Sequence, residues 1–279
     1  MIRSVGVIVP AHDEQELLPA CLASLRRAAQ ALRGTLVQLV VVADACRDRT
    51  AEVARRGGAA VVTIDAKNVG TARGAGVREV LRRSGHLNPE DVWLAMTDAD
   101  TVVPLGWLRQ QVRYASQGWD AVVGTVRVAD WSGYQPVTRT LFAERYDSAT
   151  GPHPHVHGAN LGFRASAYLK AGGFPEEPTA EDHAFVSALT ACGSRVLRTR
   201  TMPVVTSARR ESRAPHGFSR YLAELDTATV RAGLSEGSIS GSARLTVRLH
   251  AHPVEELGVG GDRVSEEKSR TLPITDGRA

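Results

Sequence analysis

Cysteine is scarce: Cys21, Cys46 and Cys192 are the only three in 279 residues, and none stands in a Cys-x-x-Cys spacing. That excludes a disulfide framework and a cysteine-based zinc site, and leaves three small packing residues. No stretch approaches the roughly 20 uninterrupted apolar residues of a membrane span. The first apolar run, Val5 to Val9, is too short for a signal peptide. No transmembrane segment and a cytoplasmic location are therefore expected. Two phosphate-loop signatures are also missing. The glycines of Gly70-Thr71-Ala72-Arg73-Gly74-Ala75-Gly76 lack the Gly-x-Gly-x-x-Gly spacing and follow the third strand instead of the first, and no Gly-x-x-x-x-Gly-Lys-Ser/Thr occurs. Close packing of a helix on a sheet explains those small residues.

What is present is ordinary for a folded chain, with 43% hydrophobic and 23% charged residues. The length suits one large α/β domain or two intimate halves. The net charge of +4 comes from basic residues that are almost all arginine and are spread along the chain. No nucleic-acid partner is expected from so diffuse a pattern. Arginine also suits phosphate or carboxylate groups on small molecules, because its planar fork bonds them bidentately.

Strands alternate with helices. Ser4 to Pro10 reads as a buried strand followed by a helix bearing Leu17, Leu18, Cys21, Leu22 and Leu25. Leu36 to Val42 is a second strand, delivering Asp44 to its end, and Asp48 to Arg56 a helix with Asp48 as its cap. Ala59 to Ile64 and Val92 to Thr97 are further strands, with Gly70 to Arg83 a helix between them. Such alternation predicts a mainly parallel sheet covered on both faces. Ligands collect at the carboxyl ends of such strands, where Pro10 to Glu14, Asp44, Asp65 to Asn68 and Asp98 to Asp100 fall. Beyond Thr101 the spacing predicts a helix over Trp107 to Ser116, one strand over Ala121 to Val128, and helices over Thr138 to Ser148 and Glu181 to Cys192. Three regions of one architecture result: a first half over 1–100 with a nucleotide-type cleft at its strand ends, a second half over 101–234 built onto it, and a peripheral or disordered tail over 235–279.

Several clusters carry candidate chemistry. Asp98-Ala99-Asp100 follows an apolar strand, so a turn there can point two hard carboxylates at Mg²⁺ or Mn²⁺. A solvated turn is the bland alternative. Glu181-Asp182 opens a helix, where an acid serves either as general base or as a complement to the helix dipole. His153, His155 and His157 alternate, so an extended backbone projects all three to one side, toward a metal, an acceptor or solvent.

The segments Val7-Ile8-Val9-Pro10-Ala11-His12-Asp13-Glu14, Val41 to Thr50, Asn68-Val69-Gly70, Asp98 and Asp100, Gly158-Ala159-Asn160, Gly172-Gly173-Phe174 and Glu181-Asp182 occur in the order seen in family 2 glycosyltransferases. From about Ser4 to Leu222 the chain resembles the GT-A fold of that family, a Rossmann-like, mainly parallel central sheet flanked by helices with a smaller acceptor-side half. The resemblance implies a metal-dependent transfer of a sugar from a nucleoside diphosphate sugar to an acceptor hydroxyl, with inverting-type motifs. It implies that Pro10, Ala11 and Glu14 line the nucleotide pocket, that Asp44 contacts the base, and that Arg73 approaches the base or diphosphate. Asp98 then lies near the ribose, Asp100 binds Mg²⁺ or Mn²⁺, and a late histidine, His216, adds a nitrogen ligand. Asp182 is the implied base and Glu181 positions the acceptor. His157 and Asn160 are candidates for acceptor contact, and Arg209 and Arg213 for the diphosphate or an anionic acceptor.

The chain departs from the family pattern at Ala43-Asp44, where two consecutive acids are usual, and at Cys46, where a small hydroxyl is usual. The nucleotide, the sugar, the acceptor and the oligomeric state stay open. So do three other readings: a retaining enzyme of the same fold, a sugar-nucleotide nucleotidyltransferase, and a catalytically silent nucleotide-sugar-binding protein.

Overall fold

The computed structural model describes residues 1–147, 152–175, 180–209 and 218–232. The chain begins with β1 (Ser4–Ala11), α1 (Leu18–Gln30), β2 (Leu36–Asp44), α2 (Thr50–Arg56), β3 (Ala60–Ile64), α3 (Val69–Arg83) and β4 (Val92–Met96). It continues through β5 (Thr101–Val102), α4 (Trp107–Ser116), β6 (Ala121–Val123), β7 (Val126–Val128), α5 (Pro136–Asp147) and β8 (Leu161–Arg164). Then come α6 (Ala165–Lys170), α7 (Glu181–Ala191), β9 (Val196–Arg198), β10 (Val204–Thr206) and α8 (Phe218–Arg231).

A seven-stranded sheet runs β3-β2-β1-β4-β8-β6-β9. The first four strands are parallel and β8 is antiparallel to both its neighbours, giving the mainly parallel α/β sheet expected. Strand order reverses between β1 and β4, which is where open α/β sheets gather ligands. A second sheet, β5-β10-β7, pairs Thr101 with Thr206 in antiparallel register. Among the described residues no helix is long and apolar enough to cross a membrane.

Side-chain alternation along β1 sets the two layers of the core. Val5, Val7 and Val9 pack with Leu18, Leu22 and Leu25 of α1, whereas Ile8 faces α3. Fully burying each such side chain contributes roughly 1.5–3 kcal/mol. Helix α3 starts at Asn68, whose side chain accepts from Thr71 N at 2.8 Å. A glycine inside a helix costs about 1 kcal/mol, and contact explains why α3 carries one at 76. A Cβ there would lie 2.3 Å from Ile8 Cγ2. The absent side chain lets α3 lie flat on β1.

The run Ala121 to Val128 forms two strands, not one. Its first three residues join the large sheet and its last three the small one. The change happens at Gly124, where Asn160 packs so closely that a Cβ would sit 2.2 Å from its Nδ2. The single apolar run of the sequence therefore serves two sheets.

Candidate active site

The carboxyl ends of β1, β2 and β4 converge, and the loops beyond them interlock. Asp44 ends β2, and its carboxylate accepts three backbone N–H groups from the loop after β3. Ala66 N and Lys67 N reach Oδ1 at 2.7 and 2.9 Å, and Asn68 N reaches Oδ2 at 2.9 Å. His12 Nδ1 lies 2.7 Å from the Asp44 carbonyl oxygen. The Cys46 thiol donates to Ala11 O at 3.3 Å and accepts from Asp13 N at 3.4 Å, so it ties the first two loops together. Pro10 and Ala11 are buried beneath.

Backbone strain concentrates around this edge. Among the described residues the non-glycine residues at positive φ are Asp13, Ala45, Lys67 and Ala180, at 52°, 50°, 50° and 58°. The first three sit in the loops after β1, β2 and β3, and the fourth directly precedes Glu181. Left-handed backbone at such residues costs about 1–3 kcal/mol each and persists where surrounding contacts over-determine it.

Asp98 and Asp100 meet different partners. Arg73 Nη2 donates to Asp98 Oδ1 at 3.0 Å, and Arg73 Nη1 bonds Glu181 Oε1. Arg73 is thus a clasp between the loop after β4 and the start of α7, with 5% of its side chain exposed. Burial opposes its charge, but Glu181, Asp98 and Asp182 outweigh burial and raise its pKa above the usual arginine value. The protein packed around Asp98 raises that carboxyl's pKa, Arg73 pulls it down, and Asp100 and Asp182 add to the rise. Asp98 still keeps 38% of its side-chain surface open.

The Asp100 side chain is 8% exposed and leans the other way. Its Oδ2 lies 2.9 Å from Arg209 Nη2 and accepts from Ser207 Oγ at 2.8 Å. Among the described residues its Oδ1 has only long hydroxyl contacts, 3.3 Å to Thr101 and 3.4 Å to Thr206. Arg209 Nη1 also donates to Glu14 Oε1 at 2.7 Å. Sequence reasoning missed Ser207 and Thr206. A polar pair straight after the apolar Val204-Val205 is the signal that marks them.

Asp182 stands in the first turn of α7, and its Oδ2 accepts from Gly158 N at 2.8 Å. Gly158 leaves room for Arg73, because a Cβ there would fall 2.1–2.5 Å from the guanidinium. The structure therefore brings Asp98, Arg73 and Glu181 into one cluster, whose arginine also feels the charge of Asp182, and Glu14, Asp100 and Arg209 into a second. Asn160 joins neither. Its Oδ1 accepts from Trp107 Nε1 and its Nδ2 donates to Thr125 O and Met202 O, so its amide is fully engaged within the core. His157 Nε2 lies 2.9 Å from Tyr146 Oη. The two remaining candidates, Arg213 and His216, lie outside the described residues.

The three alternating histidines stack on one side, with successive ring centroids 6.0 and 6.1 Å apart. Tyr146 lies parallel to His155 at 4.0 Å. His153 is fully buried, with Nδ1 near His155 O and Nε2 near Val123 O and Thr199 O, and burial pushes its pKa down to about 4. Among the described residues the one group with ligand atoms close enough to share a metal ion is Asp13, Cys46 and Asp48. Its carboxylates already accept backbone N–H groups from Arg47, Gln15 and Thr50.

Residues 6–171 match the sequence model of Glycosyl transferase family 2. A 68-residue segment is 41% identical to 4,4'-diaponeurosporenoate glycosyltransferase of Staphylococcus haemolyticus, covering 24% of this chain and 17% of that relative. The fold is similar to S. aureus TarS 1-349, with a TM-score of 0.54 and 15% identity over 84% of this chain and 68% of that one. TarS 1-349 is also known in complex with UDP-GlcNAc. The Pyrobaculum calidifontis mannosyltransferase PcManGT, in complex with GDP-Man and Mn²⁺, aligns with a TM-score of 0.54 and 19% identity over 86% of this chain and 76% of its own.

Proposed function

Since the chain belongs to glycosyl transferase family 2, we propose that it moves a sugar from a nucleoside diphosphate sugar to an acceptor hydroxyl by a single inverting displacement. The observation that carries this reading is the Asp98–Arg73–Glu181 bridge, which fastens the diphosphate-side loop to the helix bearing Asp182. In that arrangement Asp182 takes the proton from the acceptor hydroxyl as its oxygen attacks the anomeric carbon. The bond from that carbon to the phosphate oxygen breaks, and the diphosphate leaves with the electron pair. Glu181 orients the acceptor, and a bridge that fixes the two elements to each other supplies the proximity such a step needs. Pro10, Ala11, Glu14 and Asp44 form the nucleotide side, and residues 1–100 and 101–234 act as donor and acceptor halves of one domain.

The residues fit a divalent ion at Asp100. Among the described residues its Oδ1 carries only long contacts, and carboxylate oxygen is the donor that Mg²⁺ and Mn²⁺ prefer. A bound ion supplies positive charge to the leaving diphosphate. Asp100 would hold it, with His216 as a second candidate ligand.

The test is donor-dependent release of nucleoside diphosphate, measured across a panel of nucleotide sugars and acceptors. Asp182→Asn should cut turnover by about 10²- to 10⁴-fold with the fold intact, and Asp100→Ala should also reduce it. Undiminished turnover in both variants would remove these assignments.

A further inference from the structure

Arg198 ends β9, the outermost strand of the large sheet, and among the described residues no acid pairs with it. Its Nη1 donates to three main-chain carbonyls of one loop, Pro154 O at 3.0 Å, His155 O at 3.1 Å and His153 O at 3.4 Å. Its Nη2 and Nε make no hydrogen bond among the described residues, and neither is sealed from solvent. Burial lowers its pKa, and no carboxylate pulls that value back. Arg73 and Arg209, by contrast, are each held by two acids. Carbonyl oxygens orient a guanidinium without cancelling its charge, and a charge drawn out of water with no counter-charge is costly. A fork pinned at one nitrogen and open at the others is shaped to receive the two oxygens of a phosphate or carboxylate.

The open fork stands on the acceptor side of the site. Strand β9 runs parallel to β6, which lies antiparallel to β8 as β4 does, so β9 and β4 finish at the same edge of the sheet. Val196 packs in the layer of Phe185 and Val186 from α7, and Leu197 in the opposite one, so Arg198 shares the α7 side. Its charge reaches the residue after Asp182: burial lowers the pKa of His183, Asp182 raises it, and Arg198 adds to the lowering. The loop that pins Arg198 continues to Gly158, whose N–H holds Asp182. From His155 to Gly158 the chain spans at most about 11 Å. The nucleotide side, at the ends of β1, β2 and β4, lies across β8 and β6 from this arginine.

We propose that Arg198 is the recognition residue for an oxyanion, a phosphate or carboxylate, carried by the acceptor. This rests on the sugar-transfer reading given above, with the hydroxyl at Asp182 and the anionic group at Arg198 as two ends of one molecule. A neutral acceptor of the same shape leaves the arginine uncompensated and binds less well.

Sulfate serves as the probe for the full chain, followed through the imidazole resonances of His153 and His183, which both feel the Arg198 charge. In the wild type, sulfate is expected to shift both resonances and to raise the His183 pKa, because it cancels a nearby positive charge. In Arg198→Gln that pKa starts higher, and sulfate binds at least about 10-fold more weakly. Arg198→Lys keeps the charge but loses the fork, so it should fall between the two, and it carries the test if the glutamine variant does not fold. A merely structural arginine predicts lost stability in Arg198→Gln and wild-type resonances indifferent to sulfate, and that result overturns the proposal. Diphosphate release is then compared over hydroxyl acceptors in matched neutral, carboxylated and phosphorylated sets, which separates the two kinds of anion. The favoured anionic member should lose about 10- to 100-fold in KM in Arg198→Gln, with donor KM and kcat within about threefold. An anion preference that survives Arg198→Gln overturns the proposal while leaving sugar transfer intact. No release from any donor with any acceptor sinks the transfer reading and the acceptor assignment with it, even where sulfate binds at Arg198.

Discussion

Replacing Arg73 by methionine removes the clasp while keeping most of its apolar bulk. Glu181, with 6% of its side chain exposed, is then left buried without its counter-charge, whereas Asp98 at 38% can recruit solvent. Breaking a buried pair by deleting one partner costs about 3–5 kcal/mol, and the openness of Asp98 places this case near the lower end, about 3 kcal/mol. For a domain of this size that is a fall in melting temperature of roughly 6–12 °C. The companion variant Arg73→Met/Glu181→Gln removes the stranded charge and should recover at least about 1.5 kcal/mol, read by urea denaturation in a double-mutant cycle. Nucleotide affinity per folded molecule offers the contrast. An arginine that directly contacts the base or diphosphate would lose affinity when replaced, whereas a buried clasp loses stability and leaves affinity within about threefold. A stability change under about 1 kcal/mol for Arg73→Met, or no recovery in the double variant, would refute the clasp.

Two further outcomes follow from neighbouring contacts. Gly158→Ala pushes a methyl group into the Arg73 guanidinium and disturbs the N–H that holds Asp182, so it should cost about 1–3 kcal/mol and lower kcat more than it changes KM. His153 is held neutral by burial, with its pKa near 4, while an unfolded histidine titrates near about 6.5. Between those values the unfolded chain binds a proton that the folded chain does not, so stability falls as the pH drops through that window, by up to about 1.4 kcal/mol per pH unit. Urea midpoints at about pH 7 and about pH 5 should separate in the wild type and draw together in His153→Asn.

The amino-terminal alternation was legible because each strand from β1 to β4 is a mostly apolar run followed by polar residues. Trp107 to Ser116 was legible too, from its apolar stripe. The split of Ala121 to Val128 was not, because the contact that marks the break, Asn160 against Gly124, joins residues 36 apart in sequence. Strands β9 and β10 are three residues each, too short for periodicity to register. Within the site, residue types and order pointed to Asp98, Asp100, Glu181 and Asp182 as candidates. Their partners were hidden. Nothing local to Arg73 distinguishes a nucleotide contact from a clasp onto Glu181, 108 residues on, and nothing local to Arg209 announces Glu14, 195 residues back. The histidine stack is the converse case, since i, i+2 spacing alone was enough to align the three rings.

The small sheet has a consequence of its own. Thr101 follows Asp100 directly and pairs across the strands with Thr206, which leads within three residues to Arg209. The meeting of that acid with that base is therefore set by backbone pairing between two very short strands, and not by anything charged. Sliding β10 by one residue along β5 would turn its side chains to the opposite face. Ser207 and Arg209 would then miss Asp100, with every residue of the site still in place.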